Sequence, residues 1–340
     1  PAEIAGILSA VRNGKPYYRL NSGRFLDAES GFAPFELLGS LDFSFAELRD
    51  GKKRIAKSHA LFLAGLSDDT LEKNAEFDAL IKDIQSIRAD IPDYLTVRLR
   101  EYQKTAVHWL KQLSELGFGG ILADDMGLGK TLEVISFIMS EKPDKPTLVV
   151  TPASLTYNWI CEIEKFAPAA CARVIDGTKE ERLSKLSGIS GCDFVITSYS
   201  LLRRDISEYE KQDFFCVVID EAQHIKNPKT LSARAVKAVS RGKCFALSGT
   251  PVENSLSELW SVFDFIMPGY LGGKAAFSDR FEKPIMRGED ARAQRLRSKI
   301  KPFILRRLKS EVLTELPGKI ENTVYAELSP EQKKIYSAFL

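Results

Sequence analysis

Short apolar runs alternate with helical segments along most of the chain after residue 97, and this alternation limits the possible folds more than any other feature. The runs are apolar throughout and have the length of single strands. Such strands, when helices separate them, are typical of a parallel sheet covered on both faces. The predicted strands are GGILAD, TLVVTP, ARVID, DFVITS, FFCVVID and CFALSG. We therefore predict an α/β fold with a mostly parallel sheet and helices on both of its faces.

The first 95 residues carry no chemical motif and lack this alternation. The segment YYRLNSGRFLDAE predicts a β-hairpin, because two β-rich runs flank its Asn-Ser-Gly turn. The segment DDTLEKNAEFDALIKDIQSIRAD predicts a helix, which the following IPDYL interrupts. We predict a small α+β appendage at 1–95, a lobe at 96–310, and a linking segment at 311–340 that begins a further lobe. The apolar stripe of the predicted helix comprises Phe77, Leu80, Ile81, Ile84 and Ile87.

A glycine-rich loop, ADDMGLGKT, follows the first predicted strand of the lobe and fits the phosphate-binding pattern except at its start. Gly127 and Gly129 lack a Cβ atom, so their backbone N–H groups can close on phosphate oxygens. Lys130 is suited to reach the β- and γ-phosphates, and Thr131 to bind Mg²⁺ through its hydroxyl. The alternative is a plain glycine turn, but a preceding strand and the Lys-Thr pair favour a nucleotide phosphate. The predicted ATP-binding residues of this loop are Asp125, Met126, Gly127, Leu128, Gly129, Lys130 and Thr131.

A second motif, DEAQH, follows the predicted strand FFCVVI. Asp220 suits the Mg²⁺ shell, and Glu221 is placed to polarise the water that attacks the γ-phosphate. The alternative is an exposed acidic turn, which the upstream phosphate loop disfavours. Lys130 and Glu221 are therefore the predicted catalytic residues. For His224 two interpretations stay open: an exposed or capping histidine, or a polar contact that senses hydrolysis.

Further stretches of the chain resemble the Swi/Snf family of DNA-dependent ATPases, within the helicase-like ATPases of superfamily two. They are, in family order, RLREYQKTAVHWL, LVVTPASLTYNW, VITSYSLLRRD, LSGTPVENSLSELWSVFDFIMPGYLG and PFILRRLKSEVLTELPGK. The resemblance covers about residues 97 to 328 and is strongest to the bacterial branch. It implies a RecA-like P-loop lobe, the first of two lobes in a motor that moves along duplex DNA.

The resemblance also implies roles for further residues. Arg100 and Gln103 are expected to contact adenine, which favours ATP over GTP. The residues expected to link the nucleotide and DNA sites are His224, Ser248, Gly249 and Thr250. The residues expected to contact the DNA backbone are Thr151, Ser154, Thr197 and Ser198. Capping of helices and turns is the alternative role for these hydroxyls.

Asp124 and Asp125 stand at the start of a loop meant to hold a polyanion. Family members usually read D-E-M-G-L-G-K-T there, so only Asp125 departs from the family. The first position ends the strand and needs no positive φ, so glycine is not required. We expect the carboxylates to point towards backbone N–H groups or the sheet, away from the nucleotide.

Twelve basic and four acidic side chains lie between residues 274 and 309, a net charge of +8 within a chain whose net charge is +2. A solvated helical face explains this, and so does a segment that binds the DNA backbone or links two lobes. In the family, LRRLKSEV resembles the brace that leads to the second lobe. We expect that second lobe to begin at about Val324 and to be truncated here, and these 340 residues alone to hydrolyse ATP weakly or not at all.

Composition narrows the class of protein and its surroundings. The 44% hydrophobic and 28% charged content is that of a globular protein, and no apolar run is long enough for a bilayer. No secretory leader is visible, so we expect a bacterial, cytoplasmic, nucleoid-associated protein with reduced cysteines. The expected partner is duplex DNA, with protein partners docking through residues 1–95. A strand-separating helicase and a non-catalytic interaction module are the alternatives.

Overall fold

The computed structural model forms two compact units, Pro1–Arg307 and Leu308–Leu340, which are considered separately. The predicted domain boundary near residue 95 lies within the first compact unit. It stays a prediction. The residues that the structure describes are 2–12, 17–27, 35, 38, 41, 45–55, 57–65, 72–92, 95–239, 242–249, 255–312 and 328–339.

The N-terminal region contains the predicted hairpin and a set of short helices. Strands β1 (Tyr17–Arg19) and β2 (Phe25–Asp27) pair antiparallel, as the Asn-Ser-Gly turn predicts. The helices span Ala2–Arg12, Phe45–Asp50, Ser58–Ala64 and Ala75–Ser86. The last of these begins where the Asn74 side chain accepts a hydrogen bond from the Phe77 backbone over 2.9 Å.

The predicted apolar stripe on that helix is only half covered. Ile84 is buried, whereas 42% of the Leu80 surface is exposed. The helix therefore packs through one edge of the stripe. The helix is shorter than the predicted segment 68–90, because residues 72–74 and 87–90 are not helical, while residues 68–71 lie outside the described residues.

A seven-stranded, fully parallel sheet forms the centre of the lobe, in the order β5-β6-β4-β7-β8-β3-β9. This confirms the predicted α/β class. Its strands are β3 (Gly120–Leu122), β4 (Thr147–Thr151), β5 (Ala172–Val174), β6 (Phe194–Ser198), β7 (Cys216–Ile219), β8 (Lys243–Leu247) and β9 (Ile304–Leu305).

Helices connect successive strands, because parallel strands need a long crossover. Their apolar faces pack on the sheet. The lobe helices span Glu101–Glu115, Lys130–Glu141, Thr156–Phe166, Lys179–Ser187, Tyr199–Arg204, Ile206–Tyr209, Leu231–Val239, Leu256–Ile266, Lys274–Phe277, Lys283–Met286 and Asp290–Ile300. Tighter 3₁₀ turns span Ala153–Leu155, Ala222–Ile225 and Lys301–Phe303, and Ser278–Glu282 forms a π turn. The helices Lys309–Val312 and Pro330–Phe339 belong to the second unit.

The two-residue strand β9 is a feature that the sequence did not predict. Ile304 and Leu305 pair with Ile121 and Leu122 of β3, so β9 extends the sheet beside the strand that leads into the glycine-rich loop. A run of two residues has no readable periodicity. Its strand conformation comes from the edge of β3, which offers it hydrogen bonds.

The core of the lobe consists of the sheet strands and the helices that cover them. Phe137 and Phe245 meet edge to face, with ring centroids 5.4 Å apart, and both are essentially fully buried. Burying each such ring contributes roughly 1.5–3 kcal/mol. Rigid packing beneath the strands fixes the positions of the loops at their carboxyl ends.

The appendage is tied to the lobe by contacts with helix Glu101–Glu115. His108 Nδ1 accepts a hydrogen bond from the Ala89 backbone over 3.0 Å, and Gln112 donates to the Ile87 carbonyl over 3.2 Å. His108 is thus a packed residue with a specific partner.

Part of the basic segment is structural. Lys299 is 2% exposed, with its Nζ 5.1 Å from the centre of the Tyr270 ring, and Arg292 pairs with Glu289. Cation–π packing and ion pairs therefore occupy some of these charges within the lobe. The exposed remainder, which includes Arg306, is what a DNA backbone could meet.

The cysteines of the described residues are free thiols. Cys171 and Cys192 are far apart in sequence, yet their sulfur atoms lie 3.3 Å apart beside strands β5 and β6. Among the described residues, no helix combines the length and the apolar composition that a membrane crossing needs.

Candidate nucleotide-binding site

The loops at the carboxyl ends of β3, β4, β6, β7 and β8 meet at one edge of the sheet, where parallel sheets bind ligands. The fold therefore brings together residues that are more than a hundred positions apart in sequence. Each predicted functional residue that the structure describes can be located relative to this edge.

The glycine-rich loop turns through two left-handed positions before the helix that begins at Lys130. Gly127 and Gly129 have φ angles of 85° and 92°, which side chains rarely tolerate. A Cβ atom at Gly129 would also lie 2.7 Å from Gln103 Nε2. Lys130 Nζ donates to the Asp124 carbonyl over 2.6 Å, so its ammonium group lies along the loop. The positive end of the helix and this ammonium face the same concave turn, which suits an anion.

Gln103 lies beneath this loop and holds it. Its Nε2 donates to the Leu128 carbonyl over 3.1 Å, and its Oε1 accepts from the Arg100 backbone over 3.0 Å. Tyr102 donates to the same Leu128 carbonyl over 3.0 Å. Gln103 is buried, whereas Arg100 is exposed. The contacts of Arg100 and Gln103 with adenine stay a prediction, and in this structure the Gln103 amide binds the loop itself.

The Asp124 carboxylate is fully buried and points away from the concave side of the loop. It accepts hydrogen bonds from Arg307 Nε, at 3.1 Å to Oδ1 and 3.0 Å to Oδ2. Its partner is a guanidinium group rather than the expected backbone N–H groups, and its orientation relative to a nucleotide stays a prediction. The sequence missed Arg307, because it lies 183 residues away.

Asp220 directly follows β7 and is held from several sides. Its Oδ2 accepts from Trp159 Nε1 over 2.9 Å and from Thr151 Oγ1 over 3.4 Å, and its Oδ1 accepts from the Glu221 backbone over 2.9 Å. Tyr199 donates through its hydroxyl to the Asp220 carbonyl over 2.7 Å. Burial raises the pKa of Asp220, while the Trp159 hydrogen bond opposes that rise. The carboxylate is therefore fixed in direction before any ligand arrives.

Glu221 adopts a left-handed backbone conformation, with a φ of 52°. Non-glycine residues are strained in this conformation, and such strained residues concentrate at functional sites. Gln223 Nε2 donates to Glu221 Oε2 over 2.8 Å and orients the carboxylate. The predicted general base thus has an identified orienting partner, which the sequence did not single out.

His224 is exposed and stacks on Tyr199, with ring centroids 4.9 Å apart and an interplanar angle of 25°. Tyr199 follows β6 directly, so this stack joins the loop after β6 to the loop after β7. Ser248 is buried after β8, and a Cβ atom at Gly249 would lie 3.4 Å from the Met126 side chain, so this loop lies beside the glycine-rich loop. Thr250 lies outside the described residues. The coupling roles of these residues stay predictions.

The four hydroxyl residues expected at the DNA backbone differ in exposure. Thr151 and Thr197 are 0% exposed, and Ser198 is 3% exposed and caps a helix by accepting from the Leu201 backbone. Ser154 is exposed. DNA contact stays a prediction for all four, but only Ser154 presents its hydroxyl at the surface.

Glu162 is a further acid at the site that the sequence did not single out. Burial raises its pKa, while hydrogen bonds to Thr131 and Asn158 lower it. Its helix position gave no signal, since nothing in a helical pattern shows that one face meets the glycine-rich loop.

The oxygen groups of Thr131, Asp220 and Glu162 fit a hard divalent cation such as Mg²⁺. Within the described ranges, no group of three or more His, Cys, Asp or Glu residues could hold a metal on its own.

A left-handed glycine loop opening a helix, with an acidic pair after a neighbouring parallel strand, defines a P-loop nucleotide-binding lobe. Residues 102–340 match the SNF2-related domain, and residues 1–92 match the bacterial SNF2 helicase associated domain. The chain belongs to the SNF2 family, as its motifs predicted.

Similar proteins extend beyond the region they share with this chain. An uncharacterized ATP-dependent helicase of Mycoplasma genitalium is 45% identical over 242 residues, which are 70% of this chain and 23% of the relative. The TATA-binding protein-associated factor MOT1 of Saccharomyces cerevisiae is 37% identical over 276 residues, with coverage of 73% and 15%. The chain therefore spans less than a quarter of the length of these curated relatives.

Two solved structures of a SWI2/SNF2 ATPase core from Sulfolobus solfataricus share the fold. The one in complex with double-stranded DNA is 40% identical, with a TM-score of 0.62 and coverage of 73% of this chain and 53% of that one. The core domain alone is 39% identical, with a TM-score of 0.59 and coverage of 73% and 51%. The lobe thus has the RecA-like fold of SWI2/SNF2 ATPase cores.

Proposed function

We propose that this chain supplies the ATP-binding lobe of a DNA-dependent ATPase that moves along duplex DNA or remodels protein–DNA complexes. The observation that carries the proposal is the fixed Asp220 carboxylate beside the left-handed glycine loop. Hydrogen bonds from Trp159 and from the Glu221 backbone restrain this acid in the absence of a ligand. The acid therefore offers a preorganised oxygen where a nucleotide-bound cation would lie.

Phosphate binding is the task of the glycine-rich loop. Backbone N–H groups from Gly127 to Thr131 surround an anion, and Lys130 exchanges its carbonyl contact for a stronger, charge-assisted contact with phosphate. Thr131 and Asp220 would hold Mg²⁺, with Glu162 orienting the Thr131 hydroxyl. The cation, when bound, neutralises the charge that develops on the phosphate oxygens.

Hydrolysis is assigned to Glu221. As a carboxylate, it accepts a proton from the attacking water, and Gln223 keeps one of its oxygens fixed by a 2.8 Å hydrogen bond. The strained backbone at Glu221 aims this side chain away from the direction that an ordinary extended strand would give it.

The DNA-facing loops are connected to this chemistry by direct contacts. Thr151 and Tyr199, which lie at the ends of β4 and β6, both donate to Asp220. A duplex that presses on the exposed surface near Ser154 would shift these loops and so change the position of the acid. We infer that DNA controls turnover through Thr151 and Tyr199, with their hydroxyls acting inside the lobe rather than on DNA.

Residues 1–92 match a domain associated with bacterial SNF2 helicases, so we assign the protein to the bacterial cytoplasm and its nucleoid. The appendage is firmly joined to the lobe by the His108 and Gln112 contacts. We infer that the appendage offers a docking surface for protein partners. Because the appendage is attached to the lobe, a bound partner would be coupled to the motor.

The test is ATP turnover by the intact protein that contains this chain, measured with duplex DNA, single-stranded DNA and RNA. We expect duplex DNA to stimulate turnover most, with little dependence on base sequence, because backbone contacts carry no sequence information. Strand separation with stronger stimulation by RNA would instead favour a helicase. Nucleotide binding without turnover on any nucleic acid would favour a non-catalytic module.

A further inference from the structure

Arg307 lies at the centre of a buried charge cluster behind the glycine-rich loop. Its Nε donates to both carboxylate oxygens of Asp124, and its Nη2 donates to the same carboxylate and, over 2.9 Å, to Glu133 Oε1. Its Nη1 donates to the Tyr102 carbonyl. One guanidinium group thus contacts the first residue of the loop, the helix that follows the loop, and the helix that carries Gln103.

The backbone reinforces these contacts. The Ala123 N–H donates to the Leu305 carbonyl over 2.7 Å, and the Asp125 N–H donates to the Arg307 carbonyl over 3.1 Å. The start of the loop is therefore paired with the segment that continues β9. The Arg307 side chain holds Asp124 and its backbone holds Asp125, while Leu305 holds Ala123.

The cluster is almost dry, which makes the arginine difficult to replace. The Asp124 and Glu133 side chains are 0% exposed, and the Arg307 side chain is 12% exposed. Burial raises the pKa of Glu133 to about 8; Arg307 opposes this rise, and the Asp124 charge adds to it. Removal of Arg307 would leave a buried acid without its counter-charge, which is far costlier than the loss of an exposed pair.

The carbonyl oxygen of Asp124 connects this cluster to the phosphate site. Lys130 Nζ binds that carbonyl over 2.6 Å, so the backbone that Arg307 holds is the backbone that positions the phosphate-binding lysine. Arg307 itself lies behind the loop and would not contact the nucleotide.

We propose that Arg307 is a positioning residue that holds the first residues of the phosphate loop in the geometry that binds ATP. The proposal rests on the proposed function of this site as an ATP site. It also explains why an acid replaces the first glycine of the loop: Asp124 is the anchor for this arginine.

The experiment measures the equilibrium dissociation constant of Mg-ATP for the full chain, at a temperature where circular dichroism shows each variant folded. The variants are Arg307→Gln, Arg307→Lys, Asp124→Asn and the double variant Arg307→Gln/Asp124→Asn. Arg306→Gln is the matched control, because it removes the same charge from the adjacent, exposed residue.

We expect Arg307→Gln to weaken ATP binding by at least about tenfold, and Arg306→Gln to leave it unchanged. The double variant should recover about threefold or more of that loss, because it removes the buried acid that Arg307→Gln leaves unpaired. Arg307→Lys keeps the positive charge but not the forked geometry of the guanidinium group, so its loss of ATP affinity should be intermediate.

A folded Arg307→Gln variant that binds ATP as the wild type does would overturn the proposal. If that variant does not fold, the Arg307→Lys variant is the test. Wild-type affinity for ATP in Arg307→Lys would then overturn the proposal. A double variant without recovery would show that Asp124 is not the partner through which Arg307 acts. Absence of ATP binding by the wild type would refute the ATP site itself, and the role of Arg307 with it.

Discussion

Trp159 donates its indole N–H to the Asp220 carboxylate over 2.9 Å and so ties helix Thr156–Phe166 to the acidic motif after β7. Both residues are largely withdrawn from solvent, with Trp159 only 1% exposed. A hydrogen bond to a charged group at a buried position contributes about 1.5–3 kcal/mol. The orientation of the acid therefore depends on a residue outside the sequence motif that identifies it.

Trp159→Phe should raise the Mg²⁺ concentration needed for half-maximal ATP hydrolysis. The change keeps an aromatic ring but removes the N–H that orients Asp220. Trp109→Phe is the control, since Trp109 donates instead to the Pro302 carbonyl over 3.1 Å. The two variants lose a similar ring volume, so equal Mg²⁺ requirements in both would show that the Trp159 hydrogen bond has no special role.

Tyr199→Phe should lower the ratio of DNA-stimulated to basal turnover. It keeps the ring that stacks on His224 but removes the hydroxyl that donates to the Asp220 carbonyl over 2.7 Å. Burial raises the pKa of Tyr199 well above its usual range, so this hydroxyl stays a donor at any working pH. Tyr157→Phe removes an exposed hydroxyl that binds Asp176 and serves as the control. An unchanged ratio in Tyr199→Phe would exclude this route of coupling.

Acidification should weaken the attachment of the appendage through His108. Burial lowers the pKa of His108, and the charges of Arg88 and Lys104 lower it further. The unfolded chain then binds the proton more readily, so stability is complete above the unfolded pKa of about 6.5 and declines as the pH falls below it. Protonation of Nδ1 would also remove the acceptor for the Ala89 N–H.

Chemical denaturation at about pH 7 and about pH 5.5 measures this effect, with His108→Asn as the reference. Asparagine keeps an acceptor oxygen near the Nδ1 position but does not titrate. The free energy of unfolding should fall more for the wild type than for the variant. Equal losses in the two proteins would assign the pH dependence to other groups.

Lys130→Ala and Glu221→Gln should separate ATP binding from hydrolysis. Lys130→Ala deletes a charge-assisted contact with phosphate, so binding should weaken by roughly 1.5–3 kcal/mol. Glu221→Gln preserves the shape of the side chain and removes the base, so binding should persist while turnover is lost. Binding assays and single-turnover hydrolysis on both variants give the comparison. An equal loss of affinity in both would contradict these separate roles.

The sequence was sufficient for the parallel sheet and the main loops of the site, because both depend on local patterns. Apolar strands separated by helices predict the sheet, and the glycine loop and acidic pair follow their strands directly. The positions of Asp220 and Glu221 after a strand were predicted in this way, whereas their partners Trp159, Tyr199 and Gln223 were not.

The contacts that hold the site come from tertiary structure and leave no local signal. Arg307 reaches Asp124 across 183 positions, and β9 is too short for any periodicity. The sequence also did not predict the burial of Thr151 and Thr197. The local sequence around a hydroxyl at a strand end is the same whether that hydroxyl faces solvent or the protein interior. Only the packed fold distinguishes these cases.

DNA-stimulated ATP turnover of the intact protein tests the central claim most directly. Steady-state hydrolysis should rise with duplex length, depend little on base sequence and be lost in Glu221→Gln. The apparent affinity for duplex should fall steeply as salt rises, because phosphate contacts release counterions. Turnover that no duplex stimulates, or stimulation that persists undiminished in Glu221→Gln, would contradict the assignment of this chain as the ATP-binding lobe of a DNA-dependent motor.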